Sequence, residues 1–253
     1  MTADGHRDIR KVAVAFDPAC STPALLEAAI QLAISLGAEL EALLVDDPDI
    51  ARMSQLPFGR LFELHSGKAE QLDISAVRTR RAGSVARARA TLRRTAEMHR
   101  VTCTALELPG LALMDATTKS NAELFVVAGF HGKFGGARSI DRDAVQIAVE
   151  SSGSVLLVSQ LPVETQRILV VSDDSPLAGR ADAIAQRIAQ RDPLGDAALV
   201  GRLTLDGETL DDIIGRIASL APTLVVTGIA DSAVVAALHE RFERNPVSVL
   251  TVR

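Results

Sequence analysis

Tryptophan and tyrosine are absent from this chain of 253 residues, and aromatic residues of any kind make up 3% of it. That scarcity argues against a sugar-binding surface or a single-stranded nucleic-acid surface, both of which use aromatic stacking platforms. The core is left to Ala, Val, Leu and Ile, a set that suits helices packed on a parallel sheet. Cysteine is nearly as scarce. Cys20 and Cys103 show neither metal-ligand spacing nor the makings of a disulfide framework. No uninterrupted apolar segment approaches the roughly 20 residues that span a bilayer. Met1 to Arg10 is polar and charged, without the apolar core of a signal peptide. A net charge of −5 provides no global attraction for nucleic acid or an anionic membrane. These absences describe a soluble cytoplasmic protein with reduced thiols. What remains, 47% hydrophobic and 23% charged residues, is ordinary globular composition, and the length allows one large domain or two small ones.

Apolar runs and turn residues alternate along the chain. Lys11 to Phe16 reads as a strand ending at Asp17-Pro18, and Thr22-Pro23 opens a helix over Leu25 to Leu36 that Gly37 stops. Ala38 to Val45 reads as the second strand. Asp49 to Asp73 is less regular and suggests a short helix with a loop or hairpin. A long helix is expected over Ser75 to His99, a strand over Val101 to Leu106, and a short helix over Leu111 to Lys119. A strand over Ala122 to Ala128, a helix near Asp141 to Glu150 and a strand over Val155 to Ser159 complete the unit. Alternating strands and helices imply a parallel sheet with right-handed crossovers and helices on both faces.

After Leu161-Pro162-Val163-Glu164-Thr165, which reads as a linker, the pattern restarts. Arg167 to Val171 repeats the first strand, Ser172-Asp173-Asp174-Ser175-Pro176 the acidic turn, and Leu177 to Gln190 the first helix. Strands over Ala197 to Thr204, Thr223 to Thr227 and Val247 to Val252 follow, with helices over Leu210 to Leu220 and Ala233 to Phe242. The second copy lacks the long helix and strand of the first. The expectation is an α/β protein of two flavodoxin-like parallel-sheet units in tandem, residues 1–163 and a shortened 164–253.

The richest chemistry lies in Gly129-Phe130-His131-Gly132-Lys133-Phe134-Gly135-Gly136-Ala137-Arg138. A glycine-rich turn between the end of a parallel strand and a helix is where open α/β sheets place phosphate groups. Glycine lets a ligand approach the backbone, and Lys133 and Arg138 supply positive charge. Gly129, Gly132, Lys133, Gly135, Gly136 and Arg138 are therefore candidate anion-binding residues. Asp17 and Asp173, at strand ends, are placed to meet a ribose or adenine edge, while Asp174 and Ser175 read equally well as helix caps.

These residues together resemble the universal stress proteins. In that family the first strand ends in Asp, matched by Val14-Ala15-Phe16-Asp17. The first helix and second strand resemble the family's in Ala28 to Leu40. The fourth strand is followed there by Gly, two residues, Gly, nine residues, then Gly-Ser or Gly-Thr, and Gly129 and Gly132 match the first two glycines. Where the final pair should fall, this chain has Arg142-Asp143 or Asp143-Ala144. A carboxylate there would oppose a polyphosphate by about 1 kcal/mol at ~4 Å in water, and by more in a cleft. In the second copy Gly228 stands for the first glycine and Asp231 for the second, which argues against ATP there. The resemblance implies an adenine nucleotide, ATP or AMP, as the ligand. It also implies pairing of the two units through their last strands as an intramolecular pseudo-dimer, with homodimerisation left open.

Other features have plainer readings. Cys20 precedes a helix, where a thiol pKa can fall, but it also reads as loop filler, and Cys103 reads as core. The helix from Ser75 to His99 carries Arg78, Arg80, Arg81, Arg87, Arg89, Arg93 and Arg94 against one acid, Glu97. It reads as a solvated face or as a dock for an acidic partner, and the missing aromatics argue against nucleic acid. His65, His99, His131 and His239 show no ligand spacing for a metal. No catalytic motif is present. The expected function is a non-enzymatic, cytoplasmic, stress-associated regulatory protein with a degenerate nucleotide cleft in its first half. The alternatives are a working ATP or AMP binder with slow hydrolysis, and a scaffold using the arginine-rich helix.

Overall fold

Successive side chains of a strand point to opposite faces of its sheet, so a strand covered on both faces must be apolar throughout. Strand β1 (Lys11–Phe16) shows this directly. Val12, Val14 and Phe16 enter one core, and Ala13 and Ala15 enter another. The same division recurs in β8 (Arg167–Ser172), where Ile168 and Val170 face one way and Leu169 and Val171 the other. A computed structural model describes residues 9–18, 23–45, 60–62, 69–71, 74–128, 138–158, 167–191, 198–205, 209–242 and 247–253.

The first half contains β1, α1 (Pro23–Leu36), β2 (Glu39–Val45), a hairpin of β3 (Arg60–Phe62) and β4 (Ala69–Gln71), α2 (Ile74–His99) and β5 (Cys103–Leu108). It continues with α3 (Leu113–Lys119), β6 (Leu124–Ala128), α4 (Arg138–Glu150) and β7 (Ser154–Val158). The second half contains β8, α5 (Leu177–Gln190), β9 (Ala198–Thr204), α6 (Leu210–Leu220), β10 (Leu224–Gly228), α7 (Ser232–Phe242) and β11 (Ser248–Thr251). Nine of these strands form one sheet in the order β5-β2-β1-β6-β7-β11-β10-β8-β9. All neighbours run parallel except β7 and β11, which pair antiparallel with Leu156 opposite Leu250.

The hairpin falls where a loop or hairpin was expected; the short helix expected nearby lies outside the described residues, as does the linker at 161–165. The strand expected from Val101 begins instead at Cys103. Arg100 adopts a left-handed conformation (φ 56°), and the Val101 N–H closes the end of α2 on the Ala96 carbonyl at 2.9 Å. Those residues are spent on a Schellman turn and cannot join the ladder. The end of α1 uses the same motif with Gly37 (φ 66°), and Ala38 N–H donates to the Ala33 carbonyl at 2.9 Å.

Helices α1, α2 and α5 cover one face of the sheet, and a single core there draws residues from both halves. Helix α1 packs against α5 across the junction. On the opposite face α3 and α4 cover the first half and α6 and α7 the second, with α4 packed against α7. Arg253 ties the junction together. Its guanidinium donates to the carbonyls of Ala148 and Val149 at 3.3 and 3.0 Å, at the carboxyl end of α4. Its N–H donates to Ser154 Oγ on β7 at 3.2 Å, and Arg180 of α5 donates to its carbonyl oxygen. Cations at a helix carboxyl end are favoured by its dipole and open carbonyls.

The two halves also begin in the same way. The Lys11 N–H donates to Glu123 Oε2 at 2.9 Å, and the Arg167 N–H to Thr223 Oγ1 at 2.9 Å. Glu123 and Thr223 each precede the strand that pairs with β1 or β8.

Both edges carry charge. On β9 the exposed Arg202 bonds Asp182 of α5 at 2.5 Å, and a register shift interrupts the pairing of β9 with β8. On β5, Glu107 meets Arg89 of α2 at 2.9 Å. Bulges and charged side chains are how natural edges avoid pairing with other chains.

Gly228 fits because α5 presses on β10. A Cβ there would lie 2.5 Å from the Leu177 carbonyl oxygen and 2.8 Å from Ala181 Cβ. Gly228→Ala should cost about 2 kcal/mol by overpacking. Gly179→Ala, on α5 with open space around it, should instead stabilise by about 0.5–1 kcal/mol through loss of unfolded-state entropy. Urea unfolding of the two variants measures both signs.

Candidate functional site

Ligands of open α/β sheets gather where the strand order reverses, beyond the carboxyl ends of the strands. This sheet has two such places. In the first half the order β5-β2-β1-β6-β7 reverses between β1 and β6, and in the second the order β9-β8-β10-β11 reverses between β8 and β10.

At the first switch point, Asp17 leaves β1 directly after Phe16 and is half-buried. The β1–β6 register pairs Ala15 with Val127, so the chain leaves β6 at Ala128 on the same rim. The next nine residues, Gly129 to Ala137, lie outside the described residues and include the candidates Gly129, Gly132, Lys133, Gly135 and Gly136. The candidate Arg138 opens α4, three residues before the expected start at Asp141. This earlier start moves the open N–H groups of the helix to Arg138, Ser139, Ile140 and Asp141. The start was expected later because periodicity locates a helix face but not its first turn. Arg142 and Asp143 fall in the second turn, where their N–H groups serve the helix itself.

The second switch point is described completely, and it is filled. Asp173 Oδ1 accepts the Ser175 N–H at 3.0 Å and Oδ2 accepts the Ala230 N–H at 2.8 Å. One carboxylate thus bridges the turns after β8 and β10. Partial burial would raise the pKa of this carboxyl, but the hydrogen bonds from Ser175 and Ala230 outweigh it and hold it below the usual carboxylate value. Asp231 caps α7 by accepting the Ala233 N–H at 2.8 Å. Ser175 Oγ accepts the Leu177 N–H at 3.3 Å and so takes the capping role weighed for it. Only Ile229, Ala230 and Asp231 connect β10 to α7, and Ile229 is buried.

The register also revises the alignment of the two turns. Ser172 pairs with Gly228, whereas continuing the β1–β6 ladder sets Phe16 beside Ala128. Gly228 therefore corresponds to Ala128, Ile229 to Gly129 and Ser232 to Gly132. A run of matching apolar residues had concealed this one-residue offset. Gly228 serves helix packing, not ligand approach.

The cysteines give less. Cys20 lies outside the described residues. Cys103 is half-buried on edge strand β5 and packs against the core only partly; burial pushes its thiol pKa up. Among the described residues, no helix is long and apolar enough to cross a membrane.

No protein-family model and no curated protein matches this sequence. Solved structures do. A universal stress protein from Archaeoglobus fulgidus DSM 4304 superposes with a TM-score of 0.63 over 97% of each chain at 12% identity. A Pseudomonas aeruginosa UCBPP-PA14 protein that carries the same family name gives 0.58, covering 96% of this chain and 93% of its own, at 13% identity. A functionally unknown protein from Pseudomonas aeruginosa PAO1 gives 0.56 over 96% and 92% at 13% identity. The chain has the universal stress protein fold over nearly its whole length.

Two measurements probe the second half. Asp173→Asn should cost about 1–2 kcal/mol, the scale of charged hydrogen bonds lost at a partly buried site. The wild-type contribution is present above the unfolded carboxyl pKa near 4 and fades as pH falls through the lower folded value. Equilibrium unfolding at pH 7 and pH 3 should show the wild-type and variant curves converging at the acid end.

His239 on α7 acts over a different range. It is buried and shares a 2.7 Å hydrogen bond with Thr251 Oγ1, and desolvation together with nearby Arg253 lowers its pKa to about 4. Below pH 6.5 the unfolded chain binds this proton and the folded chain does not, so stability falls between pH 6.5 and about 4, by about 3 kcal/mol. His239→Leu should remove that slope from a series of urea melts.

Proposed function

We propose that this chain is a non-enzymatic, stress-associated regulatory protein, a tandem and degenerate variant of the universal stress proteins. Residues 1–163 retain a weak adenine-nucleotide crevice, and residues 164–253 are a shortened copy kept as scaffold. The observation that carries this reading is the contrast between the two switch points. In the second half the backbone donors an anion would need are already taken by Asp173 and Asp231, and three residues are too few to wrap a phosphate. In the first half nine residues with four glycines separate β6 from α4, and Asp17 stands beside the end of β6.

A helix amino terminus favours anions through its open N–H groups and dipole. Lys133 and Arg138 add positive charge, while Asp141 and Asp143 oppose a long polyphosphate. The crevice is therefore suited to weak occupancy by AMP or ATP. Antiparallel pairing of β7 with β11 supports the pseudo-dimer reading of the duplication, since each half closes the other's open edge.

Thermal unfolding with increasing AMP or ATP–magnesium tests the proposal, because a ligand that binds the native state stabilises it by mass action. The expected result is a rise in Tm at millimolar but not micromolar nucleotide, abolished by Gly132→Asp and unaffected by Asp231→Asn. Nucleotide retained through purification would overturn the weak-site reading. Steady phosphate release that falls with Asp17→Ala would overturn the non-enzymatic one.

A further inference from the structure

Helix α2 holds its place with one narrow stripe. Val85, Ala88, Leu92 and Ala96 are buried against the sheet, at the three- and four-residue spacing of a helix face. The opposite side carries a second stripe. Arg80, Arg87 and Arg94 are all exposed and stand seven residues apart, so each sits two turns beyond the last on nearly the same face. Their Cα positions are separated by about 10.5 Å along the helix axis.

Not every arginine of this helix is available. Arg93 Nε bonds Glu97 Oε1 at 2.8 Å, and Arg89 Nη2 bonds Glu107 Oε1 at 2.9 Å. Arg87 Nη2 donates to the Ser84 hydroxyl at 3.0 Å, a neutral partner. Among the described residues, no carboxylate stands within ion-pair distance of Arg80, Arg87 or Arg94. The helix holds seven arginines and one glutamate in a chain whose net charge is −5, so its charge is opposite to that of the rest.

We propose that the outer face of α2 is a docking surface for an acidic helix of a partner protein, with carboxylates at heptad spacing set against Arg80, Arg87 and Arg94. A helix with Asp or Glu every seventh residue repeats at the same 10.5 Å rise, so two helices side by side keep all three pairs in register. Gly83, Ala86 and Ala90 run beside the arginine stripe and let a second backbone come close. Arginine suits this role because its planar guanidinium takes a carboxylate through two parallel hydrogen bonds. A long nucleic acid fits less well. It would extend past the stripe into the acidic remainder of the chain, and the helix itself carries no aromatic side chain to stack on a base.

The test uses the full-length protein and a fluorescently labelled helical peptide of about 24 residues bearing glutamate at every seventh position. A matched peptide with glutamine at those positions and a DNA duplex of about 20 base pairs serve as competitors. Fluorescence anisotropy should show binding of the glutamate peptide at about 50 mM salt that weakens at least tenfold by about 300 mM. Arg80→Glu, Arg87→Glu and Arg94→Glu together should weaken it at least tenfold, and the three Arg→Gln changes by an intermediate factor. These side chains are exposed, so Tm should stay nearly constant in both variants. Equal binding of the glutamine peptide, an unchanged affinity in the charge-reversed protein, or tighter binding of the DNA duplex would each overturn the proposal.

Discussion

The antiparallel pairing of β7 with β11 is the contact on which the rest of this structure depends. Each half alone would end in a buried-type strand with an open row of backbone donors and acceptors, a hazard for any soluble sheet. Pairing Val155, Leu156 and Leu157 with Thr251, Leu250 and Val249 satisfies both rows and fuses two parallel sheets into one of nine strands. It also fixes what lies above and below. With the strands in one plane, α1 meets α5 on one face and α4 meets α7 on the other, and a single core runs under α1, α2 and α5. Arg253 locks this arrangement from the end of β11 by reaching the last turn of α4.

The two halves of the sheet are not equal. Among the described residues the second half has no strand in the place that β5 holds in the first, and β9 is an outer edge. Arg202, paired with Asp182, and the register shift beside it protect that edge. The two switch points differ as well. In the second half an aspartate after β8 and another before α7 occupy the donors that a phosphate would use. A fixed internal carboxylate meets these N–H groups at no cost in ligand ordering, so the two turns are held together. The first half retains a long glycine-rich connection between β6 and α4, and the two halves are chemically unlike despite their matching strands.

Much of this was readable from residue order. β1, α5 and α6 fall where periodicity, proline and glycine place them, since a buried parallel strand and an amphipathic helix leave unlike traces. Boundaries moved where hydrogen bonds decide: Val101 was taken by the turn that ends α2, and α4 began at Arg138. The candidate site was legible as a glycine pattern and as Asp17. Sequence alone assigned Gly228 to the wrong partner, because Thr223 to Thr227 and Leu124 to Ala128 are interchangeable apolar runs, and a slip of one residue leaves no mark on composition.

Residue order by itself determined the alternation of strand and helix, the restart near residue 167 and the concentration of arginine on α2, because these follow from local periodicity and charge. Tertiary structure decided which side chains meet. Asp173 became a bridge only because β8 and β10 are neighbours in the sheet, and the stripe of Arg80, Arg87 and Arg94 faces outward only because Val85, Ala88, Leu92 and Ala96 lie on the face that packs. Hydrogen bonds and burial depend on distances between residues far apart in the chain, and those distances exist only once the sheet has formed.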